Sequence, residues 1–170
     1  MRALAFLGLL LGVVAMAEGF TLKSPAFAYG GAVPKRYTCD GEDRSPPLRW
    51  QGVPEGTGAL LLYVFDPDAP VGTFVHWVAY DLPPDRNGLP EGVPKTPEAM
   101  GFKQATNDFR RVGYGGPCPP RGHGPHRYFF RLYALDGPLG LAPGRPAREV
   151  LKAAEGHVLG EAEWMGTYTR

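Results

Sequence analysis

The run ALLLYVF at residues 59–65 decides which fold this chain can adopt. It has the length of one strand and is apolar on both faces, which indicates a strand in the middle of a sheet. Two similar runs follow, FVHWVAY at 74–80 and RYFFRLYAL at 127–135. The connections between these runs are rich in turn residues rather than helical. This pattern predicts an antiparallel sheet or sandwich rather than a doubly wound α/β fold.

The rest of the chain adds shorter elements to this predicted sheet. Residues 20–23 form a short strand candidate, and 45–50 is extended because each proline restricts its neighbour. The polar stretch 83–112 is predicted to be a long surface excursion with room for one short strand. The best helix is 145–154, with a proline in its first turn, and a last strand is expected at 161–169. The fold class is therefore mainly β with a short C-terminal helix.

The first 17 residues have the features of a secretory signal peptide. Arg2 is followed by an apolar run over 5–14, which is too short to span a membrane, and then by the small-x-small triplet AMA. The alternative is a buried N-terminal strand or helix. We expect cleavage near Ala17 and a single domain over 18–170 that is periplasmic or secreted. No second apolar run is long enough to be a transmembrane segment.

The charge balance of the expected mature chain excludes two classes of partner. Loss of Arg2 reduces the 18 Lys and Arg residues to 17, against 17 Asp and Glu residues. A neutral domain without a long basic run lacks the electrostatic footprint of a nucleic-acid-binding protein. Strong attraction to an anionic membrane surface is equally unsupported.

The two cysteines, Cys39 and Cys118, both lie in the expected mature chain. An exported chain with two cysteines can form one disulfide, and the alternative is two separate buried thiols. A bridge would close a loop of roughly 80 residues and stabilise the fold by a few kcal/mol. No CxxC pair is present, so the cysteines do not indicate a zinc site.

The first group of candidate functional residues is DPDAP at 66–70, followed by His76. It begins where the first apolar strand ends, and strand ends often carry binding groups on a rigid scaffold. Asp66 and Asp68 could bind a metal or act as acid and base. They could equally organise a proline-rich turn, and His76 taken alone is more often a core residue than a ligand contact.

The second group lies in GYGGPCPPRGHGPHRY at 113–128. Glycines let the backbone approach a ligand and expose N–H groups that can bind an anion. His126 and Tyr128 are two apart at the start of a strand, so both point to one face and can donate to one oxyanion. His123 lies in the glycine-rich part and is expected to be peripheral. The alternative is a rigid structural loop.

Several well-known site types are absent from the sequence. The patterns GxxxxGK[ST], GxGxxG, GxSxG and HExxH do not occur. Cys118 could be a nucleophile with His126, but the flanking prolines and the expected disulfide argue against a free thiolate. Spacing alone leaves open a zinc site built from Asp66, His76, His123 and His126, but no motif supports it. We therefore expect no metal and no cofactor.

Taken together, these motifs resemble the two signature regions of the phosphatidylethanolamine-binding protein (PEBP) family, in its bacterial branch, which is also called Raf kinase inhibitor-like. The resemblance spans about residues 20–168. The segments that carry it are YTCDG at 37–41, SPPL at 45–48, DPDAP at 66–70, HW at 76–77, GYGGPCPP at 113–120, HRY at 126–128 and LYALD at 132–136.

The resemblance implies a β-sandwich of two antiparallel sheets with a short C-terminal helix, and a small pocket for anionic groups. The implied ligand-binding residues are Asp66, His76, Tyr114, Gly116, His126 and Tyr128, with Phe74, Asp68 and Pro119 in the pocket wall. Five residues separate DPDAP from His76, which is shorter than in vertebrate relatives and matches the bacterial branch. Surfaces by which animal members contact kinases are therefore not expected to transfer.

The function expected from these observations is binding rather than catalysis. The ligand is a phosphate-like anion or a phospholipid head group, and a protein target such as a protease or kinase is conceivable. Binding should be tighter below about pH 6.5, where unperturbed histidines become charged. The alternative is a hydrolase or lyase using Asp66, His76 and His126, but no serine or free cysteine stands beside them as a nucleophile.

Overall fold

The computed structural model describes residues 19–170, so the predicted leader at 1–17 lies outside the described residues. Strands dominate, and one α-helix follows the eighth strand. In chain order the elements are β1 (Thr21–Lys23), β2 (Leu48–Gln51), β3 (Ala59–Asp66), β4 (Phe74–Leu82), β5 (Gly88–Leu89), β6 (Glu98–Ala99), β7 (Phe102–Gln104), β8 (His126–Leu135), α1 (Ala147–Ala154) and β9 (Val158–Tyr168). Among these residues, no helix has the length and apolar character needed to cross a bilayer.

The strands form two antiparallel sheets, which confirms the predicted fold class. A six-stranded sheet has the order β6-β7-β4-β3-β8-β9, and a three-stranded sheet has the order β1-β2-β5. Leu22 and Trp50 of the small sheet share one buried cluster with Leu62, Trp77 and Phe130 of the large sheet. The main core therefore lies between the two sheets, as in a β-sandwich.

Strand β3 is central, and this position explains its uninterrupted apolar sequence. Leu60 and Leu62 point to the core between the sheets, whereas Leu61 lies in a second cluster on the other side. Helix α1 covers that second side with Val150 and Ala154. Because both faces of β3 are buried, neither face needs polar residues.

The surface excursion at 83–112 differs from the prediction. It contains three short strands, β5, β6 and β7, where one was expected. Strand β5 pairs with β2 of the small sheet, and β7 pairs with β4 of the large sheet. Strands of two or three residues are too short to show an alternating pattern, so only their distant partners define them.

A disulfide joins Cys39 to Cys118, as predicted, with the two Cα atoms 5.4 Å apart. It connects the loop that precedes β8 to the segment after a 3-10 turn at Lys35–Tyr37. The same two segments are also joined through the main chain, because the N–H of Cys39 donates to the Pro117 carbonyl at 3.1 Å. The disulfide therefore fixes the loop that carries the second signature motif.

Candidate functional site

A cavity of about 190 Å³ lies at one end of the large sheet. Strand β3 pairs with both β4 and β8, and Phe65 is opposite Val75 on one side and Phe129 on the other. The end of β3 and the beginnings of β4 and β8 therefore meet at the same edge. The residues that line the cavity are Asp66, Ala69, Pro70, Phe74, His76, Phe109, Cys118, Pro119, Pro120, His126 and Tyr128.

Asp66 and His126 form a buried pair in this cavity. Asp66 is 3% exposed and His126 1% exposed, and Oδ2 of Asp66 lies 2.6 Å from Nδ1 of His126. A carboxylate only accepts hydrogen bonds, so Nδ1 of His126 carries the hydrogen. The second oxygen, Oδ1, accepts the N–H of Asp68 at 2.7 Å. The pair fixes the orientation of the imidazole and leaves Nε2 as the nitrogen that can serve a ligand.

His76 has a different environment, although it lines the same cavity. Its Nδ1 lies 2.6 Å from the carbonyl oxygen of Gly115, which can only accept, so Nδ1 donates. Burial lowers the pKa of His76, and the Gly115 hydrogen bond opposes this only in part. This favours the neutral ring, which presents Nε2 as an acceptor, whereas Nε2 of His126 becomes a donor when that ring is protonated.

Tyr128 completes the polar part of the cavity. Its ring lies edge-on to His76 with the centroids 5.3 Å apart, and it stacks along His126 at 6.4 Å. Burial, followed by the charge of Asp66, raises the pKa of Tyr128 well above its usual value. The phenol therefore stays neutral and keeps its hydrogen for donation.

Two phenylalanines form the apolar wall, and only one of them was expected from the sequence. Phe74 was expected, and its ring packs edge-on against Phe109 with centroids 4.7 Å apart. Phe109 also contacts His76, at 5.3 Å between ring centroids. Asn107 holds this loop because its Oδ1 accepts the N–H of Phe109 and its Nδ2 donates to the Gly113 carbonyl. The Asn-Asp pair before Phe109 is a turn signal that could have drawn attention to it.

Three residues expected at the pocket do not line the cavity. Tyr114 is buried in the core, and its hydroxyl donates to the Tyr37 carbonyl at 2.7 Å. The N–H of Gly116, expected to bind an anion, donates instead to Oδ1 of Asp43 at 2.7 Å. Asp68, expected in the wall, accepts from the side chain and the N–H of Arg127. Pro119 does line the cavity.

His123 lies outside the cavity, as expected for a peripheral residue, but it contacts one of the cavity residues. It is exposed, but its Nδ1 lies 2.6 Å from Nε2 of His126. The two rings are edge-on, with centroids 4.8 Å apart. Asp66, His126 and His123 therefore form a continuous hydrogen-bonded chain from the buried cavity to the surface.

The described residues contain no group of three or more His, Cys, Asp or Glu side chains placed to hold a metal ion. Cys118 lines the cavity but is bonded to Cys39, so it is not a free thiolate. The titratable side chains that line the cavity are those of Asp66, His76, His126 and Tyr128.

Gly116 has a packing role that predicts the effect of its substitution. A Cβ at this position would overlap the Tyr37 carbonyl oxygen and lie 3.0 Å from Cα of Thr38. We expect Gly116→Ala to lower the free energy of unfolding by about 1–3 kcal/mol, because two disulfide-linked segments must separate. Urea denaturation measures this loss. Gly137→Ala is the control, since nothing lies within 4 Å of a Cβ there. Equal stability of the two variants would contradict the close approach.

The Asp68–Arg127 pair predicts a change in stability at acidic pH. Hydrogen bonds from the Arg127 side chain lower the pKa of Asp68 to about 2. A carboxyl with a lowered pKa in the folded state stabilises the protein above its unfolded pKa, near 4, and this contribution disappears as pH falls to about 2. Since Arg127 is half exposed, the contribution should be about 0.5–1 kcal/mol. We expect Asp68→Asn to flatten the stability profile between pH 4 and 2 in acid titrations of folding, and an unchanged slope would contradict this.

The fold and the site define the class of protein, a β-sandwich with a buried Asp–His pair at the edge of one sheet. Residues 23–169 match the family model described as phosphatidylethanolamine-binding protein, and the chain belongs to this family.

Individual relatives agree with this assignment. The chain is 53% identical over 148 residues to a UPF0098 protein of Aquifex aeolicus, covering 86% of each chain. It is similar to the crystal structure of the PEBP homologue CT736 from Chlamydia trachomatis, with 39% identity, 89% and 98% coverage and a TM-score of 0.80. The crystal structure of Escherichia coli YbcL, a PEBP family member, gives 28% identity, 89% and 99% coverage and a TM-score of 0.83.

Proposed function

We propose that this protein is an exported binding protein for a phosphate-like anion, and not a catalyst. The observation that carries the proposal is the buried Asp66–His126 pair, which faces the same cavity as His76 and Tyr128. Export rests on the leader-like sequence at 1–17 and is supported by the disulfide, which is typical of oxidising compartments. A protein target, such as a protease or kinase, is part of this proposal without assigned residues.

The size of the cavity favours a small ligand. Its volume of about 190 Å³ is below the range of about 300–1,000 Å³ that is usual for drug-sized molecules. A free phosphate or the phosphate end of a phospholipid head group suits this space, whereas an acyl chain does not. The rings of Phe74 and Phe109 form an apolar wall, and an apolar surrounding strengthens the polar contacts beside it.

The polarity of the cavity specifies the ligand further. Tyr128 and the protonated ring of His126 can donate to anionic oxygens, whereas Nε2 of His76 presents an acceptor when its ring is neutral. A ligand that satisfies all three carries at least one hydrogen of its own, as monoprotonated phosphate does. An anion without a hydrogen would leave the buried acceptor of His76 unsatisfied, which costs about 1–3 kcal/mol.

This requirement gives a direct test by calorimetry. We expect inorganic phosphate to bind at pH 5.5 at least tenfold more tightly than sulfate, because sulfate has no hydrogen for His76 at this pH. Phosphate affinity should also be higher at pH 5 than at pH 8, since acid supplies protons to both phosphate and imidazole. Equal affinities for phosphate and sulfate would contradict the role of His76. Absence of phosphate binding at any pH would overturn the proposed function.

A second measurement distinguishes the two sources of phosphate. Native mass spectrometry of protein from its own source would show a retained lipid if the ligand is a head group, or a retained phosphate ion otherwise. Calorimetry with glycerophosphoethanolamine, a head group without acyl chains, gives the same distinction in solution. Its ammonium group can supply the hydrogen that a phosphodiester lacks.

The alternative function is a hydrolase or lyase that uses the Asp66–His126 pair for acid–base chemistry. The observation that favours it is the hydrogen-bonded chain of Asp66, His126 and His123. No serine or free cysteine is among the residues that line the cavity. A screen of phosphate esters, with His126→Asn as the control, separates the two functions. Turnover that this substitution abolishes would establish the enzyme, whereas binding without turnover supports the binding protein.

A further inference from the structure

We propose that His123 is a proton-operated latch on the anion site: it occupies the His126 nitrogen that an anion needs, and releases it when both imidazoles are protonated. This inference rests on the proposed anion-binding function and adds its regulation. The word latch denotes the contact between Nδ1 of His123 and Nε2 of His126, which are 2.6 Å apart.

The latch blocks the only nitrogen of His126 that is available to a ligand. Nδ1 of this ring is held by Asp66 at 2.6 Å, so Nε2 is the atom that would contact an anion. Nε2 is instead in contact with His123, a residue outside the set that lines the cavity. His123 thus takes the place of a ligand, and an anion must displace it.

Counting hydrogens shows when the latch can close. A contact of 2.6 Å between two ring nitrogens holds one hydrogen, because two N–H groups facing each other repel. The two imidazoles keep this contact when together they carry no charge or one charge, since the outer nitrogen of His123 can hold the extra proton. With two charges both facing nitrogens carry hydrogens, so the contact must break and the exposed ring of His123 can turn away.

Several other titratable groups surround the latch. The groups that face it are Asp66, Asp68, Arg127, Tyr128, Tyr168 and, across the cavity, His76. The pKa of Asp68 is lowered and the pKa values of Tyr128 and Tyr168 are raised, so these groups keep their charge state between pH 5 and 8. Burial lowers the pKa of His76, which favours its neutral form. Arg121 and Arg170 beside the loop pair with Asp40.

Acid and anion therefore act together on this site. Protonation of both imidazoles frees an N–H of His126 for the anion, and the anion in turn stabilises two adjacent positive charges. From a closed latch without charge, anion binding to the wild-type protein takes up two protons, whereas binding to a variant without His123 takes up one. The slope of log affinity against pH reports this number.

The test compares phosphate binding to the wild-type protein, His123→Ala and the control His157→Ala between pH 5 and 8. His157 is exposed, as His123 is, and it pairs with the carboxylate of Asp136. It lies near the opposite end of β8. We expect the slope to be shallower by about one proton in His123→Ala only. The titration of phosphate itself contributes equally to all three slopes, so it cancels from the difference between them. At pH 7.5 this variant should bind phosphate about three- to tenfold more tightly, since no competitor remains.

Each other outcome is also decisive. Equal slopes in all three proteins would show that His123 has no role in binding and would overturn the latch. A loss of affinity in His123→Ala that is the same at every pH would make His123 a simple hydrogen-bond donor to the anion, which also overturns it. In ¹⁵N-labelled protein, a coupling across the N–H···N bond should be present at pH 7.5 and absent at pH 5. Persistence of this coupling at pH 5 would also overturn the latch. Failure of all three proteins to bind phosphate would refute the anion site and, with it, the latch, whereas phosphate binding with equal slopes would refute the latch alone.

Discussion

His126→Ala is expected to lower the free energy of unfolding by about 3–5 kcal/mol and to weaken phosphate binding at least tenfold. The substitution removes the hydrogen-bond partner of Oδ2 of Asp66, a carboxylate that is 3% exposed. The Asp68 N–H would still donate to the other oxygen of this carboxylate. Removing one partner of a buried charged pair costs more stability than the intact pair contributes. The charge that remains is still buried, and water cannot replace its lost hydrogen bond.

His126→Asn separates the two effects of this substitution. The amide of asparagine can donate to Asp66 from roughly the position of Nδ1, but it has no counterpart of Nε2. Most of the lost stability should therefore return, whereas phosphate binding should remain weak. Urea denaturation measures the first effect and calorimetry the second. Wild-type stability of His126→Ala would show that Asp66 does not depend on the imidazole.

Loss of the disulfide is expected to cost about 4 kcal/mol of stability, less any strain relieved in the folded state. The Cys39–Cys118 bridge spans 79 residues, and closing a loop of this length restricts the unfolded chain strongly. Cys118 also lines the cavity, and its Sγ accepts from Arg170 at 3.0 Å. Reduction should therefore loosen the cavity rim and weaken anion binding as well as folding.

The measurement is denaturation of the wild-type protein with and without a reductant, beside the double variant Cys39→Ser with Cys118→Ser. The reductant should destabilise the wild-type protein to the level of the double variant and should not change the variant. Mass measurement before and after reduction counts the thiols. Two free thiols in protein recovered from an oxidising compartment would contradict the pairing and remove the basis of this prediction.

Much of the fold could be predicted because its signals are local. The apolar runs at 59–65, 74–80 and 127–135 correspond to β3, β4 and β8, and the predicted helix at 145–154 to α1. Strands buried on both faces need long apolar runs, so these elements are visible in the sequence without their partners. The short strands β5, β6 and β7 were missed because distant pairing defines them.

The site was only partly predictable, because residue type does not show which partner a polar group takes. Tyr114 and Gly116 have the hydroxyl and the N–H that an anion site needs, but Tyr37 and Asp43 occupy these groups in the folded chain. The contact made by His123 was not predicted, because its glycine-rich neighbourhood suggested a peripheral side chain. Its contact with His126 depends on the direction in which the loop turns.

The sequence by itself predicted a β protein of the PEBP family and singled out Asp66, His76, His126 and Tyr128, which line one cavity in the folded chain. It could do so because strand periodicity and motif spacing are properties of the chain alone. Only the tertiary structure decided how these groups are used. Pairing of β3 with both neighbours brings the two motifs to one sheet edge, and the direction of each hydrogen bond there makes His76 an acceptor. The same packing commits the free nitrogen of His126 to His123.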